Sequence, residues 1–218
     1  VWLLSLVLLK ADLGKSKNKP KFRELFSKSR AINILSAARL FLFGARDVWF
    51  VVALPVYLSE SFGWDHWWVG GYLASWIIIY GFVQTLAPKL FFADGVSSPA
   101  KSAKLWALTL AVTPLLIAGL LILDMASVIL VTVGLLVFGF MFAINSSLHS
   151  FLIVDMARSD GVSLDVGFYY RANAFGRLIG TVLSGVIFQL YGIEMCLLAS
   201  CILLIAAAVV SSKLPASN

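Results

Sequence analysis

Apolar residues run along this chain in long stretches that are separated by short polar segments. Six of these stretches are about as long as the ~20 helical residues needed to cross a bilayer core. The pattern therefore predicts an all-α integral membrane protein, built as a bundle of six transmembrane helices. We place the six spans near residues 32–58, 67–92, 104–123, 127–153, 167–191 and 195–212.

The composition supports the membrane interpretation. Hydrophobic residues make up 61% of the 218 residues and charged residues only 13%, which is more apolar surface than a soluble core of this size can bury. Cys196 and Cys201 lie five positions apart on the last predicted span and cannot face each other, so we predict neither a disulfide nor a metal site. No nucleotide-binding motif and no cofactor motif is present in the sequence.

The two ends of the chain differ from the predicted spans. Residues 1–9 are apolar but too few to span, and we interpret them as the end of a preceding transmembrane helix. Residues 10–30 form a basic linker with eight Lys or Arg against two acidic residues. Residues 31–213 hold the six spans, and 214–218 form a short tail. We therefore expect the chain to be the back half of a larger protein.

The charges between the spans predict an orientation. If the basic linker is cytoplasmic, the basic loop residues that follow fall on the same side, and the outer gaps contain no Lys or Arg, as the positive-inside rule requires. The rule also explains the linker without a nucleic-acid partner. We predict a multi-pass protein of the inner (plasma) membrane with a cytoplasmic linker and C-terminus. The inner basic residues are Lys101, Lys104, Arg158 and Lys213, and the outer gaps carry Glu60, Asp65, His66, Asp124 and Glu194.

Charged residues also lie inside the predicted spans. Arg46 and Asp47 stand side by side in the first span, and Arg39 lies seven residues earlier on the same helical face. Such charges are costly in lipid and normally face the bundle interior or a water-filled cavity. Because neighbouring residues on a helix point about 100° apart, we expect Arg46 and Asp47 each to need a partner elsewhere. The pattern leaves open substrate contact and structural pairing for Arg46.

The fifth span carries two stripes at helical spacing. Its polar stripe puts Arg177 near mid-span, where it could line a cavity. Its small residues recur every four positions and predict close approach of another backbone. The polar stripe consists of Tyr170, Asn173, Arg177, Thr181 and Ser184, and the small-residue ridge of Ala172, Gly176, Gly180 and Ser184.

Two further spans carry polar groups one turn apart. Tyr80 and Gln84 follow Trp76 on one face of the second span, which is equally typical of packing and of a pocket. Asn145 and His149 share a face of the fourth span, where His149 could relay protons or serve as a hydrogen-bonded structural residue.

The architecture resembles the C-terminal half of a major facilitator superfamily transporter, a twelve-helix fold in which the six spans would be helices 7 to 12. The loop signature of that superfamily, Gly followed by Asp-Arg/Lys-x-Gly-Arg-Arg, is reduced here to Asp94 and Gly95. The resemblance implies that an N-terminal half forms the other wall of the transport path and that Asp94 contributes to gating.

Two stretches, GARDVWFVVALPVYL at 44–58 and YYRANAFGRLIGT at 169–181, resemble the bacterial organoarsenical efflux permeases of arsenic-resistance operons. That family exports 1-arseno-3-phosphoglycerate, which a partner glyceraldehyde-3-phosphate dehydrogenase makes. The resemblance implies an efflux permease for an organoarsenical, working by alternating access.

The sequence thus predicts a secondary active transporter of a small anionic substrate, with protons as a candidate coupling ion and no cofactor. A transporter of another small organic anion or of a drug is the alternative, ahead of a channel or an intramembrane enzyme, and no catalytic residues are expected. The predicted substrate-binding residues are Arg46, Arg177, Asn173, Tyr170, Tyr80, Gln84 and Asn145, and those for coupling or gating are Asp47, His149, Arg39 and Asp94.

Overall fold

The computed structural model describes residues 29–92, 96, 98–125, 128–157 and 162–215. Within these ranges every regular element is an α-helix, so the prediction of an all-helical protein is confirmed. The helices are α1 Arg30–Phe50, α2 Ala53–Phe62, α3 His66–Phe91, α4 Pro99–Ile122, α5 Val128–Met156 and α6 Val162–Ser211.

Within the described residues, five helical segments are long and apolar enough to cross a membrane, as a multi-pass membrane protein requires. Six spans were predicted, and the count differs because the last two predicted spans belong to one helix that is broken at Gly192. Helices α1 and α2 together make the first segment, and α6 makes the last. The predicted remnant helix, nearly all of the linker, Asp94, Arg158 and the last residues of the tail lie outside the described residues. The five segments are Arg30–Phe62, His66–Phe91, Pro99–Ile122, Val128–Met156 and Leu164–Ser211.

A short break separates α1 from α2. A turn at Val51 and Val52 interrupts the helix, and the backbone N–H of Ala53 donates to Ser184 Oγ at 3.1 Å. Pro55 follows two residues later and has no N–H to restore the helical ladder across the turn. The break therefore lies against α6 and is held open by a side chain from that helix.

Helix α6 is broken at Gly192, whose backbone has φ 83° and ψ −177°. The Cys196 thiol lies 3.8 Å from the Ser184 carbonyl oxygen, although a straight helix would separate residues twelve apart by about 18 Å. The chain therefore reverses at Gly192, where we had expected an outer gap of three residues, 192–194. We call 162–191 the first arm and 193–211 the second arm of α6.

Contacts between the helices show their relative directions. Helix α1 runs parallel to the first arm, because Gly44 packs against Gly176 and Ala53 bonds to Ser184 further along both. Helices α3 and α5 are also parallel, since Tyr72 bonds to Thr132 at one end and Gln84 to Ser146 at the other. Helix α4 is antiparallel to α5, with Asn145 against Trp106 and Met141 against Thr113. These directions fit a chain that reverses between consecutive spans, with α1 and α2 as one span and the two arms of α6 as two.

The predicted close approach of the fifth span to another backbone is confirmed. A Cβ atom built on Gly176 would clash with the backbone of Leu40, and one on Gly180 would lie 2.6 Å from the Gly44 carbonyl oxygen. Only glycine lets α1 and the first arm come this close at these positions. The contact brings the middle of α1 directly against the middle of the first arm.

Aromatic side chains fill the centre of the bundle, and apolar side chains cover its outside. The Trp49 ring packs edge-on against Phe138 with centroids 4.9 Å apart, and Trp76 Nε1 donates to the Leu135 carbonyl at 2.8 Å. On the outside, residues such as Ile78 and Ile129 are more than two-thirds exposed. An apolar exterior of this kind suits a lipid environment.

The two ends of the bundle differ in charge. Outside the interior of the bundle, the described Lys and Arg residues lie at the end where α3 finishes and α4 begins, together with Asp155 and Asp165. The described residues of the opposite end include acidic groups but no Lys or Arg. The acidic end also carries Trp67 and Trp68, both mostly exposed, as tryptophans at a membrane interface are. The basic end includes Arg30, Lys89, Lys101, Lys104 and Lys213, and the acidic end Glu60, Asp65, Asp124 and Glu194.

Candidate functional site

Asp47 is the centre of a charged cluster at mid-bundle. Its side chain is 1% exposed, and each carboxylate oxygen bonds to a different arginine. Arg46 donates to Oδ1 through Nε and Nη2, both at 2.6 Å, and Arg177 donates to Oδ2 through Nε at 3.0 Å. We call these three residues the Asp47 cluster. It joins α1 to the first arm and contains two cations for one anion.

The expectation that Arg46 would need a partner elsewhere is wrong. The long guanidinium side chain curls back to the neighbouring carboxylate, and the rings of Phe43 and Phe142 lie 5.0 and 5.3 Å from its central carbon. The expectation holds for Asp47, which reaches Arg177 on another helix. Spacing arguments describe Cβ directions well, but they underestimate the reach of an arginine.

Arg177 is the accessible member of the Asp47 cluster. Its side chain is 53% exposed, against 11% for Arg46. Arg177 lies near the middle of the first arm, and the neighbouring Leu178 is exposed and apolar. The first arm therefore presents a cation at the depth where lipid tails would surround an uncovered helix. Such a group needs a cavity, a partner or a ligand.

Arg39 has a different environment two turns earlier on α1. It is 4% exposed and donates through Nε to Asn173 Oδ1 at 3.3 Å and through Nη1 to the Ser146 carbonyl at 3.0 Å. Its central guanidinium carbon lies 4.0 Å from the Phe43 ring centroid and 5.1 Å from that of Tyr169. The ion pairs of the described residues leave Arg39 without a carboxylate, so neutral groups surround its charge.

Ser146 connects the polar side chains of α3 to Arg39. Its hydroxyl lies 3.1 Å from the Tyr80 hydroxyl and 3.2 Å from Gln84 Nε2, while its carbonyl accepts from Arg39. We call Arg39, Ser146, Tyr80, Gln84 and Asn173 the Arg39 cluster. The face of α3 that carries Tyr80 and Gln84 therefore points inward.

The sequence analysis missed Ser146 as a site residue. It lies next to Asn145, which we had predicted to bind substrate, but it points in a different direction. A usable signal was present, because Ser146 and Ser150 are four residues apart, as are Tyr80 and Gln84 on the parallel helix α3. Comparison of these two four-residue spacings would have predicted that the Ser146 face of α5 meets the Tyr80 face of α3.

Other predicted residues are placed elsewhere. Asn145 is buried and donates through Nδ2 to the Trp106 carbonyl at 2.8 Å, which ties α5 to α4 and keeps its amide away from both clusters. His149 is buried one turn beyond Ser146, and its Nδ1 atom has no hydrogen-bond partner among the described residues. Tyr170 is 53% exposed beside Tyr169. Asp94 lies outside the described residues.

An open groove begins one turn beyond Arg177, toward the acidic end. It has a volume of about 750 Å³ and lies between the α1–α2 break and the first arm. Val52, Val56 and Val182 supply apolar lining, with Thr181 at the end nearest the Asp47 cluster and Glu60 and Gln189 further out. The groove can hold a small, partly polar molecule one turn from Arg177, which does not itself line it.

Compared with known proteins, the chain matches no family model, no curated protein and no solved structure.

Proposed function

We propose that this chain is one six-helix half of a secondary transporter with the major facilitator fold, and that it carries a small anionic substrate by alternating access. One observation carries the proposal. Arg177 lies at mid-span with its side chain half-exposed, and its buried partner Asp47 is shared with Arg46. A cation at this depth is tolerated when it faces a water-filled cavity or a protein partner.

The charge balance of the Asp47 cluster favours an anion. One carboxylate serves two guanidinium groups, so the cluster keeps one net positive charge. A phosphate, arsenate or carboxylate group would neutralise it, and the planar fork of a guanidinium matches such oxygens in a bidentate way. In this proposal Asp47 holds both arginines in the empty state and competes with the substrate for Arg177. Protons are the candidate coupling ion in this proposal.

A second six-helix unit completes the path in this proposal. Tyr170, Arg177 and the groove residues Thr181 and Gln189 lie along the first arm, where a facing unit would cover them. Transporters of this architecture bind substrate near mid-membrane between their two halves. The charge difference between the two ends supports a cytoplasmic basic end in this proposal, as the positive-inside rule expects.

The narrower proposal is that the cargo is an organoarsenical such as 1-arseno-3-phosphoglycerate. Its support is the resemblance of stretches 44–58 and 169–181 to the organoarsenical permeases. These two stretches contact each other through Gly44 with Gly176 and through Asp47 with Arg177. A transporter of another small organic anion would use the same cluster. An organoarsenical transporter therefore differs from this alternative in the substrate that it carries and not in the residues that bind it.

The test is arsenate tolerance of bacterial cells that express the transporter together with its dehydrogenase partner. We expect wild type to confer tolerance, Arg46→Ala and Arg177→Ala to nearly abolish it, and Arg46→Lys to give an intermediate value, because lysine keeps the charge but loses the fork. Arg171→Ala is the matched control, since Arg171 is an exposed arginine six positions before Arg177 whose guanidinium lies over the Phe168 ring. All variants are compared at equal membrane abundance.

Two results would contradict the proposal at different levels. If Arg46→Ala and Arg177→Ala both kept wild-type tolerance, the Asp47 cluster would be structural. If wild type conferred no tolerance but took up other organic anions, the arsenical cargo would be wrong and anion transport would stand.

A further inference from the structure

The second buried arginine of α1 has no role in the Asp47 cluster. Arg39 lies two turns closer to the basic end than Arg46, and its described partners are an amide oxygen and a backbone carbonyl. A buried charge without a counter-ion is costly unless dipoles or a ligand stabilise it. The structure thus contains a cation with unused binding capacity on the same helix as the proposed substrate site.

The unused capacity can be counted. A guanidinium carries five N–H donors, and the described hydrogen bonds of Arg39 engage Nε–H and one N–H of Nη1. Three donors remain without an acceptor among the described residues. One more polar atom nearby, His149 Nδ1, is buried and has no hydrogen-bond partner among the described residues. Arg39 therefore keeps hydrogen-bonding capacity that the described residues do not use.

The spacing between the arginines is set by Phe43. The guanidinium carbons of Arg39 and Arg46 lie 4.0 and 5.0 Å from the centroid of this one ring, so they are at most 9.0 Å apart, the sum of the two distances. Both side chains are nearly buried, and Asp47 is bonded to only one of them. Arg39 thus lies no more than 9.0 Å from Arg46, the buried arginine of the Asp47 cluster.

We infer that Arg39, supported by Asn173, is a second anion-binding position, and that the transported molecule carries two anionic groups, one for each cluster. This inference rests on the proposed function, because it takes the Asp47 cluster as the first anion-binding position. Asn173, which bonds to the buried Arg39, is itself half-buried on the first arm, and Tyr170, one turn earlier on that arm, is exposed.

Two probes that differ at one end test the inference. 3-Phosphoglycerate has a phosphate and a carboxylate on a three-carbon chain, whereas glycerol 3-phosphate has a hydroxymethyl group in place of the carboxylate. Binding of each probe to the purified full-length transporter, with both six-helix units, is measured by titration calorimetry in lipid nanodiscs. We expect wild type to bind 3-phosphoglycerate about tenfold more tightly, or better, as a charge-assisted pair with Arg39 allows.

The variant Arg39→Gln should lose this preference while binding glycerol 3-phosphate as wild type does. Arg39→Lys should retain part of the preference for 3-phosphoglycerate, which would show that substitution at this position leaves the protein folded. Arg171→Gln should leave the affinities for both probes unchanged. A wild-type protein that bound both probes equally would overturn the second anion position and leave the proposed function standing. Equal weakening of both probes by Arg39→Gln would make Arg39 a structural link between α1, α5 and α6. A wild type that bound neither probe would contradict the proposed function itself.

Discussion

Arg39 and Arg46 lie on one face of one helix and are both nearly buried, yet their charges are stabilised in opposite ways. Arg46 has a carboxylate at 2.6 Å that it shares with Arg177, while Arg39 has only neutral partners among the described residues. Phe43 contacts both guanidinium groups. The comparison teaches that a buried arginine can be stabilised by an ion pair, as Arg46 is, or by neutral hydrogen-bond acceptors, as Arg39 is. Only the second arrangement leaves the positive charge of the arginine unneutralised.

Removing the carboxylate should have the largest effect. Asp47→Ala leaves two guanidinium groups without their counter-ion, and breaking a buried pair costs about 3–5 kcal/mol. We expect a loss of stability of that size, measured by reversible unfolding in mixed micelles. Asp47→Asn keeps the shape of the side chain but removes its charge, and it should be destabilised nearly as much as Asp47→Ala. Wild-type stability of Asp47→Asn would show that the ion pairs contribute little.

The double variant Asp47→Ala with Arg46→Ala sharpens this comparison. It removes the more buried of the two arginines of the Asp47 cluster together with the anion, so it should regain part of the stability lost in Asp47→Ala. A double variant that is less stable than Asp47→Ala would mean that Arg46 contributes mainly through its contacts with the aromatic rings.

Separating the helices should have an intermediate effect. Gly180→Ala places a Cβ atom 2.6 Å from the Gly44 carbonyl oxygen and 3.0 Å from Asp47 Cβ, so α1 and the first arm must move apart. Overpacking of this kind costs about 1–3 kcal/mol, and we expect weaker substrate transport because the Asp47–Arg177 bond is stretched. Gly167→Ala is the matched control, since Gly167 lies on the same arm and nothing lies within 4 Å of its Cβ position. Equal effects of the two variants would argue against the close contact.

The smallest effect is expected at Ser146. Ser146→Ala removes the hydroxyl that bonds to Tyr80 and Gln84 but keeps the carbonyl that accepts from Arg39. We expect a loss of about 1 kcal/mol in stability and little change in the affinity for 3-phosphoglycerate. A large loss of affinity would show that the α3 side chains, rather than Arg39, bind the second anionic group.

The sequence was sufficient for the helices and for the spacing of their faces. Apolar runs predicted the membrane helices, and the four-residue recurrence of Gly176 and Gly180 predicted the close approach that the structure contains. These features depend on periodicity, which one helix displays by itself.

The sequence predicted less well which side chains bond to each other. The bond between Arg46 and Asp47 depends on side-chain reach, and the position of Asn145 against Trp106 depends on which neighbour each face of α5 meets. Ser146 was missed for the same reason, because a serine becomes a connecting residue only when three other side chains are brought to it.

The most direct test of the central claim asks whether the Arg177 side of the first arm meets water in the assembled protein. Single cysteines are placed at Thr181, one turn beyond Arg177, and at the apolar, exposed Leu178, with Cys196 and Cys201 replaced by alanine. A membrane-impermeant thiol reagent is then applied to membrane vesicles of both orientations, with and without 3-phosphoglycerate. The account predicts that position 181 reacts, that 3-phosphoglycerate slows the reaction, and that position 178 stays unreactive. Equal reactivity at both positions, or reaction at 181 that no anion slows, would contradict an anion-binding cavity beside the Asp47 cluster.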